Sequence, residues 1–143
     1  MLNSDLTVTG DVAADLFAST TGTDTDWVVK LIDVYPDNSY QLMVAEEIFR
    51  GRYRKSFTDP APVKPGEIAE YKWSLHGLDH TFLKGHKMMV EVQSSWFPLY
   101  DRNPQTYVEN IMKAPAEAYK AETLTIFTGS HLDLPMVDGE KLP

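Results

Sequence analysis

Polar and apolar residues alternate with a period of two along much of this chain, and the helical period is almost absent. Met88, Val90 and Val92 fall on one face of a segment whose other face carries Lys87, Glu91 and Gln93, with Met89 alone out of pattern. That alternation predicts a half-buried strand. Ala69, Tyr71, Trp73 and Leu75 alternate with Glu70, Lys72 and Ser74 and are predicted to face inward. The run Trp27 to Tyr35 is apolar nearly throughout, the pattern of a central strand covered on both faces. Pro36-Asp37-Asn38-Ser39 ends it with turn chemistry, and Tyr40 to Phe49 returns as the second arm of a hairpin. Leu6 to Gly10 starts a strand that Val12 to Ser19 continues, either as a second strand or beyond a bulge. His80 to Leu83 reads as a short strand before a turn at Lys84-Gly85, and Glu122 to Thr128 as another with Leu124 and Ile126 inward.

The connecting segments are equally legible. Thr20 to Asp26 reads as a polar turn, and Asp59 to Gly66 as an extended connector. Each proline of that connector fixes φ and turns its predecessor away from helix. The one helix expected is short, between Pro115 and Ala121. About eight strands with turn signals between them predict an all-β, antiparallel sandwich of jelly-roll or Greek-key type. The expectation is one domain over residues 1–143, with its core at about 6–135 and a tail at 136–143.

Charge narrows the partners. A net charge of -8 and a pI near 4.8 argue against nucleic acid, which needs clustered Lys and Arg. The one basic cluster, Arg50, Arg52, Arg54 and Lys55, is interrupted by Gly51 and Tyr53. Cysteine is absent, so disulfides and thiolate metal sites are excluded while the compartment stays open. No apolar run approaches the ~20 residues of a membrane span, so no membrane partner is expected. The first residues carry no signal-peptide pattern, and localisation is left undetermined.

Catalytic chemistry is scarce. An α/β-hydrolase needs a nucleophile on a Gly-x-Ser-x-Gly turn, and the chain has none. Ser130 and His131 are adjacent on a predicted strand end and so point to opposite faces, poorly placed to pair. His76, His80 and His86 lack a carboxylate or cysteine that completes a zinc set, so no metal site is assigned to them. Thr23, Asp24, Thr25 and Asp26 offer hard oxygens to calcium, but off the EF-hand pattern; the competing reading is a turn before buried Trp27. Glu46 and Glu47 face opposite ways and cannot form a glycosidase couple alone. No cofactor is expected. Trp73, Trp96 and Tyr100 are candidates for a sugar-stacking platform, with Trp73 better explained as core. The loop Trp96-Phe97-Pro98, followed by Tyr100, is apolar where a solvated turn is normally polar. Such a loop packs on a partner or stacks on a ligand.

Several segments occur here in a telling order: Ile48-Phe49-Arg50-Gly51-Arg52-Tyr53-Arg54-Lys55-Ser56-Phe57, Val63-Lys64-Pro65-Gly66, Phe82 with Gly85-His86, Ser94-Ser95-Trp96-Phe97-Pro98, and Asn103-Pro104. Together with Val8-Thr9-Gly10, Thr23 to Trp27 and Ser130 to Pro135, they resemble the C-terminal non-catalytic domain of the X-Pro dipeptidyl-peptidase family. The likeness is greatest to its branch of α-amino acid ester hydrolases, cocaine esterase and glutaryl-cephalosporanate acylases, and it covers about Leu6 to Pro135.

The resemblance implies a galactose-binding-like jelly roll that follows an α/β-hydrolase domain and a helical cap, with the Ser-Asp-His triad in the hydrolase portion. The chain is therefore expected to be a non-catalytic accessory fragment of a larger serine hydrolase, packing on the catalytic domain of the same polypeptide and prone to homo-oligomerise. Tyr53, Arg54, Ser56, Phe57, Trp96, Phe97, Pro98, Asn103 and Pro104 are the residues expected at that boundary. Arg54 is expected to bind a carboxylate or backbone carbonyls across it. The alternative is a carbohydrate- or ligand-binding sandwich, since fold alone does not separate the two.

Overall fold

The computed structural model describes residues 1–137, and among these there is no α-helix. The strands are β1 (Leu6–Thr20), β2 (Asp26–Val34), β3 (Gln41–Arg50), β4 (Ala69–Phe82), β5 (Lys87–Gln93), β6 (Leu124–Ile126), β7 (His131–Asp133) and β8 (Met136–Val137). All pairings are antiparallel. One sheet runs β4-β1-β6, with β7 and β8 also on β1; the other runs β3-β2-β5. This is the predicted all-β jelly-roll sandwich.

Period two explains the core. Val8, Val12, Ala14, Leu16 and Ala18 of β1 are all buried, and they meet Trp27, Val29 and Leu31 of β2. β2 is buried almost throughout and lies between β3 and β5, as its continuous apolar run predicts. The hairpin of β2 and β3 forms as expected, with Trp27 opposite Phe49.

The segments predicted up to Leu75 and from His80 form one strand, and those before and after Asp11 also form one, with the bulge offered as the alternative falling at that point. β1 runs unbroken from Leu6, and its register on β4 shifts between Asp11 and Ala13. The shift falls where β4 carries an extra residue, His76, at φ 68. A bulge reverses parity, so inward positions in β4 are odd up to Leu75 and even at Phe82, and both are buried. That reversal made one strand look like two in the sequence.

Two other expectations are corrected, and the polar turn expected at Thr20–Asp26 proves to be largely buried. The segment 116–118 forms a single 3₁₀ turn instead of a helix; it follows Pro115 and buries no residue, so nothing offsets the cost of nucleation. Met136 and Val137 pair with Val8 and Thr7, so the tail expected from 136 begins inside the sheet, and its remainder lies outside the described residues. The Thr20–Asp26 turn is polar but not solvated: Thr20, Asp24, Thr25 and Asp26 are buried. Val63 and Gly66 donate backbone hydrogen bonds to Thr23 and Thr20, so the proline connector lies across this turn.

Gly22 shows how tight the crossing is. A Cβ there would lie 2.4 Å from the Gln105 carbonyl oxygen, which already accepts from Thr23 and Asp24. Gly22→Ala is expected to lower stability by about 1–3 kcal/mol through overpacking, read as a lower urea midpoint with unchanged slope.

Candidate functional site

The end of the sandwich where β2 begins and β3 ends is built on two buried carboxylates. Asp24 Oδ2 accepts from Arg52 Nε at 2.8 Å and Nη2 at 2.6 Å, both side chains being buried. The Arg52 guanidinium stacks 4.7 Å from the Tyr107 ring centroid. Asp26 Oδ1 accepts from Asn103 Nδ2 at 2.9 Å, and its Oδ2 lies 3.7 Å from Arg50 Nε. Arg50 also donates from Nη2 to the Asp101 carbonyl at 3.3 Å. Burial pushes the Asp26 carboxyl up to about 6, against the attraction of Arg50 and the Asn103 hydrogen bond. The oxygens that the sequence left open for calcium thus meet donors of this chain: Asp24 Oδ2 meets Arg52, Asp26 Oδ1 meets Asn103, Thr23 Oγ1 accepts from Tyr107 N, and Asp24 Oδ1 accepts from Thr25 N.

From this base the aromatic loop extends. Asn103 is buried and Pro104 is fully buried. They anchor the loop internally. Asn103 combines the Asp26 bond with acceptance from Gln105 N, which uses the residue as a strut. Arg54 also bonds within its own chain. It donates to the carbonyls of Gly51, Ala61 and Pro62 at 3.2, 2.9 and 2.6 Å, closing its own loop. Ser56 Oγ accepts from Thr58 N and Asp59 N and shapes the tip of the same loop.

What remains outward is apolar. Phe57 is 78% exposed and Phe97 63%, with Leu99 and Pro98 also exposed. Tyr53 is half-buried and stacks on Phe57 at 6.3 Å between centroids. Arg102 sits 5.5 Å from the Phe97 ring and 5.7 Å from that of Tyr119. The sequence reading missed Leu99, Arg102 and Tyr119; the exposed Leu beside Phe97 was the available signal. Trp96 is half-buried, with Lys30 Nζ 4.6 Å from its centroid and Tyr100 at 6.1 Å. Tyr100 OH donates to Glu47, which also pairs with His76. Burial first, then Glu47, raises the Tyr100 phenol above its ordinary value, which keeps its donor proton in place.

Neither stacking nor hydrolysis gains from this arrangement. Trp73 packs against the core, as expected, and Trp96 has one face under Lys30. Ser130 Oγ donates to backbone carbonyls of Phe127 and Phe17, and His131 Nδ1 faces the Gly129 carbonyl, so the two do not pair. His80 and His86 instead share Asp33, at 3.0 and 2.8 Å.

Two measurements test the buried charges. Arg52→Ala strands the Asp24 carboxylate and is expected to cost about 3–5 kcal/mol, read as a lowered unfolding midpoint, whereas Arg52→Met with Asp24→Leu recovers most of it. For Asp26 the native chain holds a proton that the unfolded chain releases between pH 3.8 and about 6. Stability therefore falls as pH rises through that window, by up to about 3 kcal/mol, and is flat above it. Asp26→Asn is expected to flatten the slope in urea titrations run across those pH values.

Comparison with known proteins points to a non-catalytic domain. Residues 1–131 match the family model for the X-Pro dipeptidyl-peptidase C-terminal non-catalytic domain. The structure is similar to part of an aminopeptidase from the marine sediment archaeon Thaumarchaeota archaeon, at 48% identity and a TM-score of 0.92, covering 96% of this chain and 24% of that one. It is also similar to an α-amino acid ester hydrolase, at 45% identity and a TM-score of 0.91, over 95% of this chain and 24% of that one. The sequence is 42% identical over 106 residues to the cocaine esterase of Rhodococcus sp. (strain MB1 Bresler), which is 74% of this chain and 18% of the esterase. The chain thus spans about a fifth to a quarter of these larger relatives, and it belongs to the X-Pro dipeptidyl-peptidase C-terminal non-catalytic domain family.

Proposed function

We propose that this domain serves a serine hydrolase of the esterase, acylase or dipeptidyl-peptidase type, packing on its α/β-hydrolase domain through Phe57, Phe97, Pro98 and Leu99, with Tyr53 and Trp96 behind them. The observation that carries the reading is the pairing of a rigid base with an apolar tip. Asn103, Pro104 and the arginine–carboxylate pairs hold two loops whose outermost side chains are aromatic. Water gains nothing from that arrangement, whereas a protein surface does. Each phenylalanine buried there contributes roughly 1.5–3 kcal/mol. The same face, left uncovered, favours self-association of the isolated domain.

In the full-length hydrolase, Phe97→Ser and Phe57→Ser are expected to shorten the half-life at elevated temperature several-fold, with specific activity before heating little changed. Inactivation and gel-filtration profiles indistinguishable from the parent's in both variants would remove this assignment. Saturable glycan binding abolished by Trp96→Ala would favour a carbohydrate module instead.

A further inference from the structure

The sandwich is closed along one side and open along the other. On the closed side β3 faces β4, where the Phe49 and Trp73 rings lie 5.5 Å apart and His76 pairs with Glu47. On the open side, between β5 and the β6–β7 margin, two adjoining apolar hollows of about 230 and 310 Å³ share Val92 and Ile126. Val90 stands opposite fully buried Leu31 and so faces inward, yet it is 51% exposed. Ile126 stands opposite buried Ala18 and is 42% exposed. Inward-facing aliphatic residues are half in water because nothing among the described residues closes this side.

The three long edge strands differ in a way that identifies what fits. Chains guard free edges with bulges, kinks and charges. β4 has its bulge at His76, and the register of β3 on β2 shifts between Leu31 and Ile32. β5 has neither: its register on β2 is unbroken from Lys87 opposite Val34 to Gln93 opposite Val28. Its charges are also tied elsewhere, Glu91 to Lys30 and Lys87 to Asn38. Alternate N–H and C=O groups of β5 therefore point outward along a straight edge beside an apolar groove. Across the groove, Val90 and Val92 of β5 look toward Ile126 and Leu132 of β6 and β7.

We infer that β5 is a receptor edge: an extended segment of the same longer polypeptide, from the part that precedes this domain, adds antiparallel or parallel to it as a fourth strand. Its alternate apolar side chains fill the groove between Val90 and Ile126. The source is the same polypeptide because the relatives carry about three-quarters of their length outside this region, 24% of each being matched, and the family's domain is C-terminal. This rests on the reading that the domain belongs to a longer hydrolase, but it concerns a different surface from the Phe97 tip.

The test is Val90→p-benzoylphenylalanine in the full-length polypeptide, irradiated and mapped by mass spectrometry, alongside hydrogen exchange of the unsubstituted protein. The expected result is one intrachain cross-link to an extended preceding segment with alternating apolar residues, together with slow exchange at alternate β5 amides. A product of twice the monomer mass would place a second copy on the edge and overturn the inference. So would fast exchange along β5 without any cross-link. Because the Phe97→Ser and Phe57→Ser variants report on the other face, either assignment can fail while the other stands.

Discussion

The Asp24–Arg52 pair is the constraint from which the rest of this end of the molecule is built. A carboxylate with no access to water is tolerable only with a partner of matching geometry, and the guanidinium supplies two donors to one oxygen. Fixing Arg52 fixes the 3₁₀ turn Gly51–Tyr53 at the end of β3, whose Gly51 N donates to Thr25 O. The connector follows, since Ala61 N donates to Arg52 O and Val63 N to Thr23 O. The loop bearing Phe97 is then held through Asn103 on Asp26. Two neighbouring buried carboxylates, Asp24 and Asp26, therefore help set the positions of three segments that are distant in sequence.

That economy explains why charge and aromaticity separate so sharply here. Arginines 50, 52 and 54 all turn inward or along their own loop and satisfy carboxylates and carbonyls of this chain. Beside the cations Lys55 and Arg102, what the loop tips offer is mainly apolar area. The surface is suited to burial against protein. The open β5 side has the same character at a second location, where backbone donors and acceptors accompany the apolar groove.

Much of the fold was legible in the sequence. The central strand announced itself because burial on both faces leaves no polar alternation, and the hairpin after it because Pro36 to Ser39 carries turn chemistry. β4 was misread as two strands because one bulged residue, His76, reverses the parity on which the pattern depends. The helix near Pro115 was misread because Ala, Glu and Lys signal propensity, while a short segment needs a buried stripe to remain helical. At the site, Phe97 stood out by being apolar in a loop and Phe57 through its motif. That Arg54, Asn103 and Pro104 bond or pack within their own chain was not legible, since a motif records that a residue matters without recording what it touches.

The division follows from the range of the forces involved. Alternation, turn residues and the run of motifs are local, and by themselves they determined an all-β sandwich, its central strand and its likeness to a non-catalytic hydrolase domain. Which arginine meets which carboxylate is a pairing between residues 28 positions apart, and it depends on where the connector crosses. Which side of the sandwich stays open depends on how the β5 edge and the short strands β6 and β7 come to lie across from each other. Those outcomes exist only once the backbone has closed around its core, and the tertiary structure alone decided them.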